Sequence, residues 1–304
     1  MTADVPEPFD DDLALAQRGK DRPLAPGLYL VATPIGNLED ITLRALRVLR
    51  SVDRIACEDT RQTQKLLHFF GIQTPMVSYH MHNEFARSEE LAAELRAGAR
   101  IAVVSDAGTP GIADPGGHLA AAAIAAGVPV FPVPGANAAI SALIASGLST
   151  ERFTFHGFLP AKQGQRRSAL EALERSGTTH IFYEAPHRIL DTLTDVSAVF
   201  GDAQPIALAR ELTKLHEEFL RGPVKEVSST LAARSLVRGE IVLLLAPVQE
   251  TEAAEAASIA SEVAVLQKAE NLSEMDALKR VAKARGIGKS EAYRELQREQ
   301  RRIR

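Results

Sequence analysis

Between Pro115 and Thr150 the chain carries no Asp, Glu, Lys or Arg. An uncharged stretch of that length either crosses a membrane or lies buried inside a layered fold. Gly127, Pro129, Pro132, Pro134, Gly135 and Asn137 decide between the two. Proline removes a backbone donor and crowds the preceding turn, so no apolar helix of about 18 residues survives these breakers. The pattern instead predicts a helix over Gly117–Ala126, a buried strand over Val128–Val133 and a second helix over Asn137–Ser146. An apolar strand between helices is the unit of a sheet covered on both faces.

The residues before this stretch repeat the same rhythm. Strands are predicted at Leu28–Ala32, Arg54–Ala56, Met76–Ser78 and Arg100–Val104, with helices at Ile41–Ser51, Thr60–Phe70 and Glu84–Ala97 between them. Strands alternating with helices imply a mostly parallel sheet, and residues 27–147 read as an N-terminal α/β domain. After Thr150 the texture changes. Strands at Phe153–Phe158, His180–Tyr183, Pro205–Arg210, His216–Leu220 and Glu240–Leu245 interleave with helices at Gln163–Ser176, His187–Phe200 and Val224–Ser235. The tight Glu211–Lys214 connection makes two of these strands an antiparallel pair, so residues 148–247 read as a second, mixed-sheet α+β domain. Pro247–Ala257 is an acidic, Ala-rich linker, and helices at Ile259–Ala269, Ser273–Arg285 and Ser290–Arg302 complete a small module over 248–304. Its Arg285-Gly286-Ile287-Gly288 turn before a basic helix resembles a helix-turn-helix.

Charge sharpens this division. The 304 residues carry a formal net charge of −4. Residues 268–304 alone are net +5, residues 1–26 net −3 and the body between them net −6. A basic module on an acidic body permits a polyanionic partner. The acidic lead-in, 1–26, has no apolar run and the wrong chemistry for a signal or transit peptide, so it reads as a flexible extension. Cys57 is the one cysteine. It cannot form an intramolecular disulfide, which points to a reducing, cytoplasmic compartment.

Standard phosphate and metal motifs fail. Gly288-Lys289-Ser290 ends like a P-loop, but Lys283 stands where its first glycine is required and no strand precedes it. His80 and His82 form an H-x-H pair without a second ligand cluster, so no metal site is expected. Three Gly/Pro-rich loops follow strands instead: Thr33-Pro34-Ile35-Gly36-Asn37, Ser105-Asp106-Ala107-Gly108-Thr109-Pro110-Gly111 and Pro134-Gly135-Ala136-Asn137-Ala138. Small residues let a ligand approach the backbone, and open α/β sheets bind ligands at this edge. Asp106 reads as a buried carboxylate among them. Polar bursts end other strands: Glu58-Asp59-Thr60-Arg61, Glu184-Ala185-Pro186-His187-Arg188 and Arg210-Glu211-Leu212-Thr213-Lys214. Asp59 or Thr60 can cap the following helix, whereas Glu58 and Arg61 are better placed to meet a substrate. Lys162, Arg166 and Arg167 after Pro160 read as a helix start or a phosphate-contacting patch.

The order LYLVATPIGNLEDIT, CEDTRQTQKLL, SDAGTPGIADPG, VPGANAA, FHGFLP, FYEAPHRI, RELTKLHEEF and GEIVLLL closely resembles the tetrapyrrole-methylase superfamily, and within it the ribosomal RNA small-subunit methyltransferase I family. The resemblance runs from about Gly27 to Leu245, with Ala32 standing where a glycine is common. It implies two α/β domains holding S-adenosylmethionine between them, a homodimer, and 2′-O-methylation of a cytidine ribose in the decoding region of small-subunit (16S) ribosomal RNA. Carried onto this chain, it places cofactor contacts at Pro34, Asp106, Ala107, Gly108, Ile112 and Ala136. From the second domain it adds Phe182, Tyr183, Ala209 and Ile241. A ribose hydroxyl is a weak acid, so a general base is expected, with Glu58, Asp59 and Glu184 as candidates and Arg61 or Lys162 holding an adjacent phosphate. The basic tail, with Lys289 at its last helix, and Lys162, Arg166 and Arg167 are the expected RNA-docking residues. Two alternatives stay open at this point. One is a methylase of a tetrapyrrole or of a diphthine-type protein substrate. The other is a non-catalytic RNA-binding ribosome-assembly factor.

Overall fold

The computed structural model describes residues 23–173, 177–247, 258–270 and 272–303. Most of the lead-in and the linker lie outside the described residues. So do residues 174–176, onto which the predicted Gln163–Ser176 helix extends.

The first sheet comprises β1 (Gly27–Val31), β2 (Arg54–Cys57), β3 (Met76–Ser78), β4 (Arg100–Val104) and β5 (Val130–Val133), all parallel in the order β3-β2-β4-β1-β5. Helices α1 (Leu43–Ser51), α2 (Thr60–Phe69), α3 (Glu84–Arg96), α4 (Gly117–Ala125) and α5 (Ala138–Ser146) connect or follow its strands. The lack of polar alternation in the strands now has its explanation. Tyr29, Val31, Ile55, Cys57, Ala102 and Val104 face one way, against Val48 and Leu49 of α1 and Leu67 of α2. Their neighbours Leu28, Ala56, Ile101 and Val103 face the other way, against Leu91 and Leu95 of α3 and Leu119 and Ala123 of α4. Side chains alternate across a strand, so a sheet with helices on both faces must be apolar at every position. The uncharged 115–150 stretch resolves into α4, β5 and α5, and among the described residues no helix is long and apolar enough to cross a membrane.

The second sheet is mixed. Strands β6 (Phe153–Phe158), β7 (Thr179–Glu184), β8 (Pro205–Arg210), β9 (Glu218–Pro223) and β10 (Ile241–Leu245) lie in the order β6-β7-β10-β8-β9. β6 and β7 are parallel, and the remaining pairs antiparallel. Helices α6 (Gln163–Glu171), α7 (Ile189–Phe200) and α8 (Val224–Ala232) accompany it. β9 starts two residues later than the sequence suggests, because the Thr213 amide donates to Glu217 Oε2 and keeps that segment in the loop. α5 ties the two sheets together. Its Ala139, Ala142 and Leu143 pack with Ile181, Ala207, Ala209, Val242 and Leu244 of the second sheet, and Ile35 and Leu212 join the same cluster. Contacts accordingly gather the described residues within 1–172 and 179–246 into one compact unit.

Those within 173–178 and 247–304 form another unit. It holds α9 (Ile259–Glu270), α10 (Glu274–Ala284) and α11 (Lys289–Ile303) around Ile259, Val263, Leu278, Val281, Ala292 and Leu296. Ser273 caps α10 by accepting from the Asp276 amide at 3.2 Å. Gly286, at φ +67°, makes the turn into α11, a conformation that favours glycine.

Candidate active site

The three Gly/Pro-rich loops sit at the C-terminal edge of the first sheet and are stitched to one another. The Thr33 amide donates to the Gly108 carbonyl at 2.9 Å, and the Gly108 amide returns a bond to the Thr33 carbonyl at 3.0 Å. Thr33 Oγ1 donates to Ser105 O, and Thr109 Oγ1 to Ala136 O, each at 3.1 Å. Gly108 adopts φ +86°, and a Cβ there would come within 3.3 Å of Ile35. Asn137 caps α5 through the Ile140 amide. The β2 end joins the same assembly, because the Asp59 amide donates to Asp106 Oδ1 at 3.0 Å.

A cavity of about 460 Å³ opens between this edge and the second sheet, within the range of small-molecule sites. Glu58, Asp106, Ala107, Gly108, Ile112 and, from the second sheet, Tyr183, Glu184 and Ile241 line it. Asp106 is exposed to this cavity rather than buried. Pro34 and Ala136 stand in the loops beside it, Ala136 engaged through its carbonyl with Thr109. Phe182 and Ala209 belong to the interior instead. Phe182 stacks on His156 at 4.8 Å, and Ala209 packs in the cluster under α5. Successive strand residues point to opposite faces, so of the pair Phe182–Tyr183 only Tyr183 reaches the cavity.

The expected catalytic groups divide by their partners. Asp59 caps α2 and accepts from Arg61 through the amide, Nε (3.1 Å) and Nη2 (2.8 Å). Those hydrogen bonds hold its carboxyl down at about 2, which makes it a weak base. The Arg61 side chain is 85% exposed. Glu184 lies with its side chain wholly buried, accepting from Thr192 Oγ1 (2.7 Å) and the Ala185 amide (2.8 Å) and paired with Arg188 at 3.3 Å. It anchors the turn before α7. Glu58 has no ion-pair partner among the described residues. Burial and then Asp106 push its carboxyl up, and His80 opposes them.

Sequence reasoning missed Asp114. It ends the same loop three residues past Gly111, and it lines the cavity. Burial first, then the neighbouring Glu58 charge, raise its carboxyl to about 6. Also missed was Phe158, which lines the cavity together with Leu212, from the polar burst that begins at Arg210, and Glu240, next to the expected Ile241. A network fixes that wall: Lys214 Nζ reaches Glu211 Oε1 and Glu240 Oε2 at 2.8 Å each. Glu211 and Thr213 there adopt φ +52° and +64°, a costly conformation for residues with a Cβ.

The basic patch read from sequence is only partly a surface. Arg166 is buried, with Nε 2.7 Å from Asp195 Oδ2, and Arg167 Nε lies 2.6 Å from Asp195 Oδ1. Lys162 precedes α6 and stays exposed. In the helical unit, Lys289 is exposed, whereas Arg280 pairs with Glu270, Arg285 with Glu262 and Lys279 with Asp276.

Among the described residues the cavity lining includes Glu58, Asp106, Asp114, Glu184 and Glu240 and no Lys or Arg, although Arg188 and Lys214 pair with Glu184 and Glu240 from behind it. Such a wall repels polyphosphate and suits a cation. S-adenosylmethionine carries a sulfonium and an ammonium group together with an adenosine. The carboxylates, the Ala107–Gly108 backbone and the apolar Ile35, Ile112 and Leu212 fit those three features.

Comparison with known proteins places the chain among methylases. The family described as Tetrapyrrole (Corrin/Porphyrin) Methylases matches residues 27–228. A protein of Halalkalibacterium halodurans named ribosomal RNA small subunit methyltransferase I is 47% identical over 88% of this chain and 93% of its own length. The protein of that name from a Synechocystis species is 52% identical over 72% of this chain and 78% of its own. Among solved structures, a Thermus thermophilus uroporphyrin-III C-methyltransferase complexed with S-adenosylhomocysteine shares the fold, with a TM-score of 0.51 at 18% identity over 72% of this chain and 96% of that one.

Proposed function

From the premise that the chain belongs to the ribosomal RNA small subunit methyltransferase I family of tetrapyrrole methylases, we propose that it methylates the 2′-oxygen of a cytidine ribose in the decoding region of small-subunit ribosomal RNA. The substrate is the small ribosomal subunit or its RNA, and the enzyme acts as a cytoplasmic homodimer. Residues 27–147 and 148–247 are the two halves that form the cleft, and 248–304 the RNA-docking module. The single observation that carries the chemistry is the cavity lined by Glu58, Asp106 and Asp114, none of them in an ion pair with a Lys or Arg of the lining among the described residues.

When bound there, S-adenosylmethionine supplies an electrophilic methyl group on a sulfonium centre. Asp106, Ala107, Gly108, Ile112, Tyr183 and Ile241 are the residues that would hold it. Pro34 and Ala136 support the loops around them. The apolar lining excludes water from the reacting centre, and the rigid loops orient the hydroxyl, which are the two main contributions a protein makes to such a displacement. The acidic cavity repels the phosphates of RNA, so docking falls to cations outside it: Arg61, Lys162, Lys289 and the rest of the basic module. A tetrapyrrole or diphthine-type substrate leaves that module without a role.

Incubation with methyl-labelled S-adenosylmethionine and immature small subunits tests the reading. The label is expected on one ribose of the decoding region. Cofactor binding with no transfer to RNA would sink it.

A further inference from the structure

We propose that Asp114 is the catalytic base that takes the proton from the attacking ribose hydroxyl, a role that rests on the ribose-methylation reading above.

The argument is one of elimination among the carboxylates that line the cavity. Glu184 is fully buried and consumed by Thr192, the Ala185 amide and Arg188. Glu240 is held by Lys214. Asp106 accepts the Asp59 amide and so fixes the β2 end to the loop. Asp59 itself is clamped by Arg61. A carboxylate whose oxygens are already engaged by a cation or a backbone amide is committed to holding structure rather than free to meet a substrate hydroxyl. Glu58 and Asp114 remain, and neither makes an ion pair among the described residues.

Backbone geometry separates these two. Asp114 follows Ala113, which adopts φ +61°. The turn around it is closed by the Gly111 amide donating to the Pro115 carbonyl at 3.1 Å, and Gly111 and Gly116 flank it at φ +83° and +139°. An alanine persists in that conformation only where the surrounding turn over-determines it, and such outliers concentrate where a side chain must be aimed. The turn sets a short, two-torsion carboxylate into the cavity wall. Glu58 hangs on a longer, more adaptable arm beside His80, whose Nδ1 is buried without a hydrogen-bond partner among the described residues.

The electrostatics of the wall support the assignment. Facing Asp114 are Glu58 after β2, Asp106 after β4, the Ser105 hydroxyl, and Tyr183 from β7; Glu184 and Glu240 complete the acidic lining. Burial and the two carboxylates raise Asp114 to about 6, with Ser105 opposing. A base with a midpoint there is ionised at neutral pH yet basic enough to accept a proton. In the step itself the ribose oxygen forms a bond to the methyl carbon as the carbon–sulfur bond breaks. The electron pair of that bond returns to sulfur, giving a neutral thioether, and the hydroxyl proton passes to the Asp114 carboxylate.

The test compares D114N, D114E and E58Q with the wild-type protein. Single-turnover methylation of small subunits is measured across pH, and S-adenosylmethionine affinity is measured separately by calorimetry. Wild-type rates are expected to rise about tenfold per pH unit below the midpoint and then level off. D114N is expected to lose roughly 10²–10⁴-fold in rate and the rising limb with it, while cofactor affinity stays within about threefold. D114E recovers part of the rate, and E58Q keeps the rising limb. A D114N rate within threefold of wild type overturns the proposal. So does a loss of cofactor affinity as large as the loss of rate, which would make Asp114 a holding residue. A wild-type protein that labels no ribose overturns the functional reading instead, and the base assignment falls with it.

Discussion

Arg166 of α6 and Asp195 of α7 form a buried ion pair, with side-chain exposures of 4% and 0%. Gln163 and Arg167 donate to the same carboxylate, so α6 is pinned to α7 by charge rather than by apolar contact alone. Burial pushes the Asp195 carboxyl up, but hydrogen bonds from Arg167, Arg166 and Gln163 outweigh it and hold it below the usual range. Removing one partner of such a pair strands the other charge away from water, at a cost of about 3–5 kcal/mol. Asp195→Ala is therefore expected to lower the unfolding free energy measured in urea by that amount. A loss under about 1 kcal/mol would show the pair to be solvated.

Acid should weaken a second, less buried cluster. Glu218 accepts from Arg234 at 2.6 and 2.8 Å and from Arg210 at 3.0 Å. Arg234 first, then Arg210, lower its carboxyl to about 2 against the opposing effect of burial. The folded protein thus binds this proton less readily than the unfolded chain. The stabilisation is complete above about 4.5 and disappears as pH falls toward 2, amounting to roughly 2–3 kcal/mol at neutrality. Glu218→Gln is expected to be less stable at pH 7 and nearly equal to wild type near pH 2. Equal stability of the two at pH 7 would refute this account.

Asp114 has the opposite sign. Its carboxyl is raised to about 6, so the folded state favours the protonated form and loses stability as pH rises through that value. Asp114→Asn is therefore expected to be more stable than wild type at pH 8, by about 1 kcal/mol after solvent screening. Near pH 4 the two should converge. Thermal melts at both pH values decide it, and a variant less stable at pH 8 contradicts the expectation.

Much of this was legible in the chain. The parallel first sheet followed from apolar runs without alternation, and Pro205–Arg210 and Arg100–Val104 begin and end where the sequence places them. The three loops were legible because glycine and proline mark turns for steric reasons. Partnership was not legible. Arg166 and Arg167 look like a surface patch in sequence, but Asp195 lies 29 positions from Arg166, and only the α6–α7 packing brings it there. Asp114 was hidden for a related reason. Its position depends on the positive φ of Ala113, and alanine gives no sign of such a turn.

Gly36 is a test of how the cavity wall is held. A Cβ there would lie 2.4 Å from Lys214 Cγ and 3.1 Å from Thr213 Oγ1. Lys214 cannot simply swing aside, because Glu211 and Glu240 grip its ammonium group. Gly36→Ala should therefore push the Lys214 loop, and Leu212 and Glu240 with it, away from the cavity. The expected loss is roughly five- to tenfold in S-adenosylmethionine affinity, equivalent to about 1–1.4 kcal/mol. Unchanged affinity by calorimetry would show that this wall moves without touching the ligand.

The helical module offers a quantitative test of RNA docking. Its net charge of +5 over 268–304 is partly spent internally: Arg280, Arg285 and Lys279 are paired, and Glu299 accepts the Ile259 and Ala260 amides at the start of α9. Lys283, Lys289 and Arg298 are exposed and make no ion pair among the described residues. Cations of this kind displace counterions from phosphate, and each one engaged contributes roughly 0.7–0.9 to the slope of log affinity against log salt. Replacing all three with Gln is expected to weaken binding to small-subunit RNA and flatten that slope by about two to three. Cofactor affinity should stay unchanged. Substitution is the better probe than deleting 268–304, because that cut would leave Ile259 and Val263 of α9 without their partners in α10 and α11. A slope that does not change with the triple substitution would place the RNA contacts elsewhere on the protein.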